Sequence, residues 1–240
     1  MKITELLKNK QQNMRHNKPI NIVVLGDSVS QGCFECFINE NGEIDTVHDY
    51  KSAYSTRLRE LLNTLYPRAQ INVINSGISG DQAKGGLDRF ERDVLAYNPD
   101  LVIISYGLND STRGPEGLDR YLSALGAMFT QLESAGVETI FLTQNFACDM
   151  VSHNLTEEQL IKVAKAEQQI QGNGVLKAYF EAAKELAAAH GVRVCDLYAM
   201  WEKMSAAGIN TTNLLSNYIN HPIREYHYYI AVKLVEEMLS

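Results

Sequence analysis

The chain has 240 residues, 45% of them hydrophobic, and a net charge of -7, which is enough apolar matter for one sizeable core and the wrong sign for a nucleic-acid partner. No Lys/Arg cluster forms a binding stripe, and the longest apolar runs are strand-sized, far below the ~20 residues that span a bilayer. The opening segment MKITELLKNKQQNMRHNKP lacks an apolar signal core, so the sequence reads as a single cytoplasmic domain, residues 1–240, whose first part, 1–18, is an N-terminal extension.

Residues 21–32, NIVVLGDSVSQG, end a short β-branched run in Gly-Asp-Ser. Successive apolar positions from Ile22 to Leu25 suit a strand buried on both faces of a parallel sheet. Gly26 lets the chain turn where a larger residue would clash, and Ser28 is delivered to the carboxyl end of that strand, where open α/β sheets place their ligands. Taken alone, Ser28 is as well explained as a helix cap as it is by a nucleophile. Residues 33–51 alternate Phe and Ile with polar residues around Asn41-Gly42, a hairpin-turn dipeptide.

Further strands are expected near 71–75, 100–106, 137–144 and 192–196. Helices are expected near 52–66, 83–97, 117–135, 156–171, 174–190 and 223–239. Tyr66-Pro67 and Asn98-Pro99 stop two of them, because a residue before proline is pushed out of the α region. Gly136 and Gly191 follow two others as C-terminal caps. This alternation predicts an α/β fold, a three-layer αβα sandwich around a five-stranded parallel flavodoxin-like sheet.

Three more blocks follow apolar strands or close the chain: NSGISGDQ at 75–82, SYGLNDS at 105–111 and NHP at 220–222. With Gly26-Asp27-Ser28-Val29 they resemble the SGNH hydrolases, the GDSL-type esterases and lipases, over roughly residues 20–235. Val29 stands where the family name has Leu. The resemblance maps Gly80, Asn109 and His221 onto the family glycine, asparagine and histidine. It implies an acyl-enzyme mechanism on a small ester in which Ser28 attacks and His221 carries the proton. The Ser28 and Gly80 N–H groups and the Asn109 amide then form the oxyanion hole. The chemistry requires these residue types: an alcohol is a poor nucleophile until a base takes its proton, an imidazole titrates near neutral pH, and an amide donates without adding charge. Asp27 and Asp110 look like triad members but fit better as structural acceptors. No metal or cofactor is implied.

The sequence departs from the family at Tyr218, three residues before His221, where an acid usually stands. Asn217, Asp196 or a main-chain carbonyl are the alternatives for orienting the ring, and Asp196 reads more simply as the cap of the helix after it. His227 matches a second histidine of such sequences that has no assigned role. Cys33, Cys36, Cys148 and Cys195 read as reduced thiols, since one Cys-x-x-Cys lacks the second half of a zinc site.

Insertions 33–51 and 145–173 leave the sheet on the side of Ser28. With Phe34, Phe37 and Tyr50 they could wall a pocket or form a homo-oligomer contact. An O-acetylated carbohydrate is the expected substrate by family analogy. The alternatives are a lysophospholipid or acyl-thioester, or a non-catalytic carbohydrate-binding or interaction protein on the same fold.

Overall fold

The structure is a computed structural model that describes residues 2–240. In chain order it runs α1 (Ile3–Gln12), β1 (Ile20–Gly26), α2 (Ser28–Gln31), the hairpin strands β2 (Cys33–Ile38) and β3 (Ile44–His48), then α3 (Tyr54–Leu65) and β4 (Ile71–Gly77). Next come α4 (Ala83–Asp88), α5 (Phe90–Asp93), β5 (Leu101–Ser105), α6 (Leu108–Ser111), α7 (Leu118–Ser134) and β6 (Glu138–Leu142). The chain closes with α8 (Glu158–Gly172), α9 (Val175–Ala189), β7 (Arg193–Cys195), α10 (Leu197–Ala206) and α11 (Arg224–Leu239).

The five long-range strands form one parallel sheet in the order β4-β1-β5-β6-β7. The connection from β1 runs outward to β4 and then returns across the sheet to β5. The chain therefore reverses direction between β1 and β5 and leaves a crevice beyond their carboxyl ends. Central position explains composition: Ile22–Leu25 of β1 and Leu101–Ile104 of β5 are fully buried, covered on both faces. Helices α3, α11 and α1 pack on one face, and α4, α7 and α9 on the other. The expected three-layer α/β sandwich is what the chain adopts. Among the described residues, no helix is long and apolar enough to cross a membrane.

The N-terminal segment carries α1, which buries Ile3 and Leu7 completely in the core. One expectation needs correcting. The expected helix over 83–97 is three short pieces, α4, α5 and a 3-10 turn at Leu95–Tyr97. Its sequence carries Gly85 and Gly86, poor helix formers. At the first break Arg89 leaves helical geometry (φ -107°, ψ 9°), and its guanidinium reaches back under the strand ends to the Ser76 carbonyl at 2.7 Å and the Gly26 carbonyl at 3.3 Å.

Candidate active site

Ser28 opens α2, one residue after β1. Asp27 caps that helix, its Oδ1 accepting from the Val29 N–H at 3.0 Å. Gly26 is needed for space: a Cβ there would stand 2.2 Å from Ser30 Oγ and 2.6 Å from the Ser105 carbonyl. This tight junction aims the Ser28 side chain off the end of the sheet. Across 193 residues of sequence, Ser28 Oγ lies 3.0 Å from Nε2 of His221.

The other imidazole nitrogen decides the tautomer. His221 Nδ1 is 2.8 Å from the main-chain carbonyl of Phe34. A carbonyl only accepts, so in the neutral ring Nδ1 carries the hydrogen and Nε2 presents its lone pair to the Ser28 hydroxyl. That is the arrangement a general base requires. It is reached without a carboxylate, which resolves the alternatives raised at Tyr218: the ring's partner is a carbonyl, contributed by the hairpin insertion.

The other candidates do different work. Asp196 caps α10, accepting from the Ala199 N–H at 3.1 Å, and also takes Thr143 Oγ1 and Lys184 Nζ. Asn217 does not reach the ring. Its Oδ1 accepts from the N–H groups of Ile219, Asn220 and His221 at 3.0, 2.9 and 2.9 Å, folding the turn that presents the histidine. Tyr218 sits in that turn with φ 56°. The turn is held further by Ser216, whose N–H donates to the His221 carbonyl at 2.7 Å, and by Asn145, whose amide donates to the Asn220 carbonyl at 2.8 Å.

Asn109, in α6 after β5, sits between the remaining two blocks. Its amide donates to the carbonyl of Asp81, beside Gly80, at 3.0 Å and lies 3.3 Å from Asp27 Oδ2, beside Ser28. The serine, glycine and asparagine segments therefore meet at the crevice. Gly80 is exposed, and a Cβ there would touch nothing within 4 Å. Its backbone takes a positive φ of 76°, which glycine adopts without strain. Asp81 fixes this loop by accepting from Arg89 Nη2 at 2.8 Å and from the Tyr106 hydroxyl at 2.9 Å.

Two residues missed in the sequence complete the frame. Gln144, the polar end of the β6 run, donates to Asp27 Oδ2 at 2.8 Å and accepts from the Leu108 N–H at 2.9 Å, tying the turns after β1 and β5 together. A polar residue closing an apolar strand on the ligand side was the available signal. Arg224 is the other. Asp27 and Asp110 behave as structural acceptors, Asp110 taking the Ala83 N–H. Burial raises both carboxyls to about 7.

Burial pushes the His221 imidazole the opposite way, to about 4, and the bond to the Phe34 carbonyl only partly offsets this. The near-neutral titration anticipated from residue type is thus corrected, since no facing carboxylate stabilises the cation. His227 is wholly buried and held down to about 3, with Nδ1 accepting from the Tyr54 N–H. Cys33 and Cys36 are free thiols. Insertions 33–51 and 145–173, with the turn before His221, enclose a cavity of about 560 Å³ lined in part by Cys36, Ile38, Leu155, Leu160, Asn217 and Tyr218.

Comparison with known proteins adds to this geometry. The model of the GDSL-like Lipase/Acylhydrolase family matches residues 24–227. An acetylxylan esterase of Geobacillus stearothermophilus is 45% identical over 53 residues, 22% of this chain and 24% of that protein. An arylesterase of Vibrio mimicus is 28% identical over 129 residues, 50% of this chain and 52% of that one. The chain thus spans about a quarter and about half the length of these curated relatives. Among solved structures, a catalytic mutant of the Geobacillus stearothermophilus acetylxylan esterase superimposes with a TM-score of 0.66 at 21% identity, covering 91% of this chain and 94% of the other. A two-domain esterase active on acetylated mannans gives a TM-score of 0.66 at 17% identity, covering 97% of this chain and 52% of that one. At these identities the structural likeness is one of fold. The family match spans most of the chain and includes all four of its blocks, and this protein belongs to the GDSL-like lipase/acylhydrolase family.

Proposed function

We propose that this protein is a serine ester hydrolase working through an acyl-enzyme, with O-acetylated carbohydrate as its substrate class. The observation that carries the reading is the relay from the Phe34 carbonyl through His221 to Ser28, with both links at hydrogen-bond distance (2.8 and 3.0 Å). Ser28 Oγ attacks the ester carbonyl as His221 Nε2 takes its proton. The imidazolium then returns that proton to the leaving alcohol, and water deacylates Ser28 by the same exchange. The Ser28 and Gly80 N–H groups and the Asn109 amide are the proposed donors to the oxyanion. For Asn109 this means trading its longer contact, to Asp27, for the substrate oxygen.

The carbohydrate assignment draws on the acetylxylan- and acetylmannan-active relatives.

A fluorophosphonate probe tests the mechanism. Stoichiometric labelling of the wild type and none of Ser28→Ala is the expected result, and an inert wild type would favour a binding protein on this fold. A p-nitrophenyl ester series from acetate to palmitate, with acetate release from acetylated xylooligosaccharides, tests the substrate. Preference for long chains would overturn the carbohydrate reading in favour of a lysophospholipase or thioesterase.

A further inference from the structure

The bond that orients His221 ends on an inserted hairpin, and such a ribbon needs an anchor. Strands β2 and β3 pair only with each other, and an isolated two-stranded hairpin is marginal in water. Within it the register slips. Cys33 pairs with His48 and Cys36 with Thr46, so Phe34 and Glu35 together oppose Val47 alone. A bulge of this kind frees one residue from the ladder and re-aims it. Here the freed Phe34 carbonyl turns to His221.

Arg224 holds that bulge. It is the first residue of α11, three positions after His221, and its guanidinium meets Glu35 bidentately at 2.5 and 3.0 Å. Its Nε donates to Asp49 Oδ2 at 3.0 Å, just past β3 at the base of the hairpin. Its guanidinium carbon stands 4.2 Å from the centroid of the Phe34 ring, whose other neighbour is the buried His227 ring at 4.8 Å. Both ends of the His221–Phe34 bond are thus tied to one short segment, His221 by the backbone and Phe34 through the guanidinium. Exposed ion pairs contribute little stability each, and these side chains are 29–45% exposed. Their value is geometric, because a planar fork that grips a carboxylate and stacks on a ring fixes orientation as an ammonium cannot.

We propose that Arg224 is a positioning residue for catalysis: by clamping Glu35, Asp49 and the Phe34 ring, it sets the Phe34 carbonyl against His221 Nδ1 and so fixes the tautomer and aim of the base. This rests on the Ser28–His221 reading above. Without the clamp the carbonyl drifts, the Nδ1 hydrogen is no longer held, and Nε2 swings off Ser28. Arg224 does not line the cavity between the insertions, so its loss acts on the base rather than on substrate binding.

The test compares Arg224→Gln, Arg224→Lys and Glu35→Gln with wild type in p-nitrophenyl acetate turnover, fluorophosphonate labelling rate, thermal melting and the hydrogen-bonded imidazole N–H signal in proton NMR. Misplacement by about 1 Å costs up to roughly a hundredfold. Arg224→Gln should therefore lose about tenfold to a hundredfold in kcat with KM within about twofold, with the labelling rate falling in parallel and the N–H signal broadened or lost. Arg224→Lys should recover only a minor part of the loss. If Arg224→Gln does not fold, Glu35→Gln and the charge-swapped pair Glu35→Arg with Arg224→Glu carry the same test, the swap restoring part of the turnover lost by Arg224→Glu alone. A kcat within about twofold of wild type in the folded variants, or a kcat loss with the N–H signal unchanged, overturns the proposal. A wild type that labels at Ser28 and depends on His221 while ignoring Arg224 refutes only the clamp. A wild type indifferent to His221→Ala refutes the dyad itself.

Discussion

Acidification separates this site from one whose histidine faces a carboxylate. His221 is 6% exposed, its Nδ1 faces a neutral carbonyl, and its pKa is held down at about 4 against 6.5 for a solvated imidazole. At pH 5.5 a ring titrating at about 4 is about 97% neutral, whereas one titrating at 6.5 is only about 9% neutral, a tenfold difference in competent base. The acid limb of kcat/KM on a short non-ionising ester reports the free enzyme's base, so the plateau should persist at pH 5.5 and break near pH 4. NMR titration of the labelled His221 ring in Ser28→Ala distinguishes this limb from the Asp27 carboxyl beside Ser28, which burial raises to about 7. The same shift affects stability. A folded-state pKa below the unfolded one means that the unfolded chain takes up the proton first, so the His221 contribution to stability is greatest above pH 6.5 and falls as the pH drops towards 4. For His221 the fall amounts to about 3 kcal/mol, so melting curves must show a folded protein at each assay pH. A kcat/KM midpoint between pH 6 and 7 that coincides with the His221 titration would refute the carboxylate-free, buried base.

Three further outcomes follow from particular contacts. Asn217→Ala strips the acceptor from three N–H groups of the histidine turn and should cost about 1–3 kcal/mol in denaturant unfolding while lowering kcat; wild-type values of both would show that the turn holds itself. Gly26→Ala forces a Cβ to 2.6 Å from the Ser105 carbonyl and should destabilise by roughly 1–3 kcal/mol or more, with an unchanged melting temperature counting against the packing described. Glu167 is buried, its Oε2 has no hydrogen-bond partner, and burial raises its carboxyl to about 7, so its ionisation weakens the fold as pH rises from 4.5 through 7. Glu167→Gln should therefore raise stability by about 3 kcal/mol above pH 8 and by only about 1 kcal/mol near pH 5, whereas an equal gain at both would point to packing rather than charge.

The architecture was legible because hydrophobic period and punctuation are local properties. The runs before Gly26, Asn75 and Ser105 read as strands from their own residues, and Asn41-Gly42 announced the hairpin. Ser28, Gly80, Asn109 and His221 were legible because each stands in a recognisable block whose chemistry demands its residue type. The α1 helix was not legible because its polar residues outweigh Ile3 and Leu7, which become core only when β1 and α11 come to lie against them. What turns His221 was beyond sequence for a deeper reason. Every residue owns a main-chain carbonyl, so nothing in the letters marks that of Phe34, and only a bulge in one ribbon brings it to the ring. Depression of the imidazole's pKa is likewise a property of enclosure, decided by distant segments that exclude water and bond the ring to a carbonyl rather than a carboxylate.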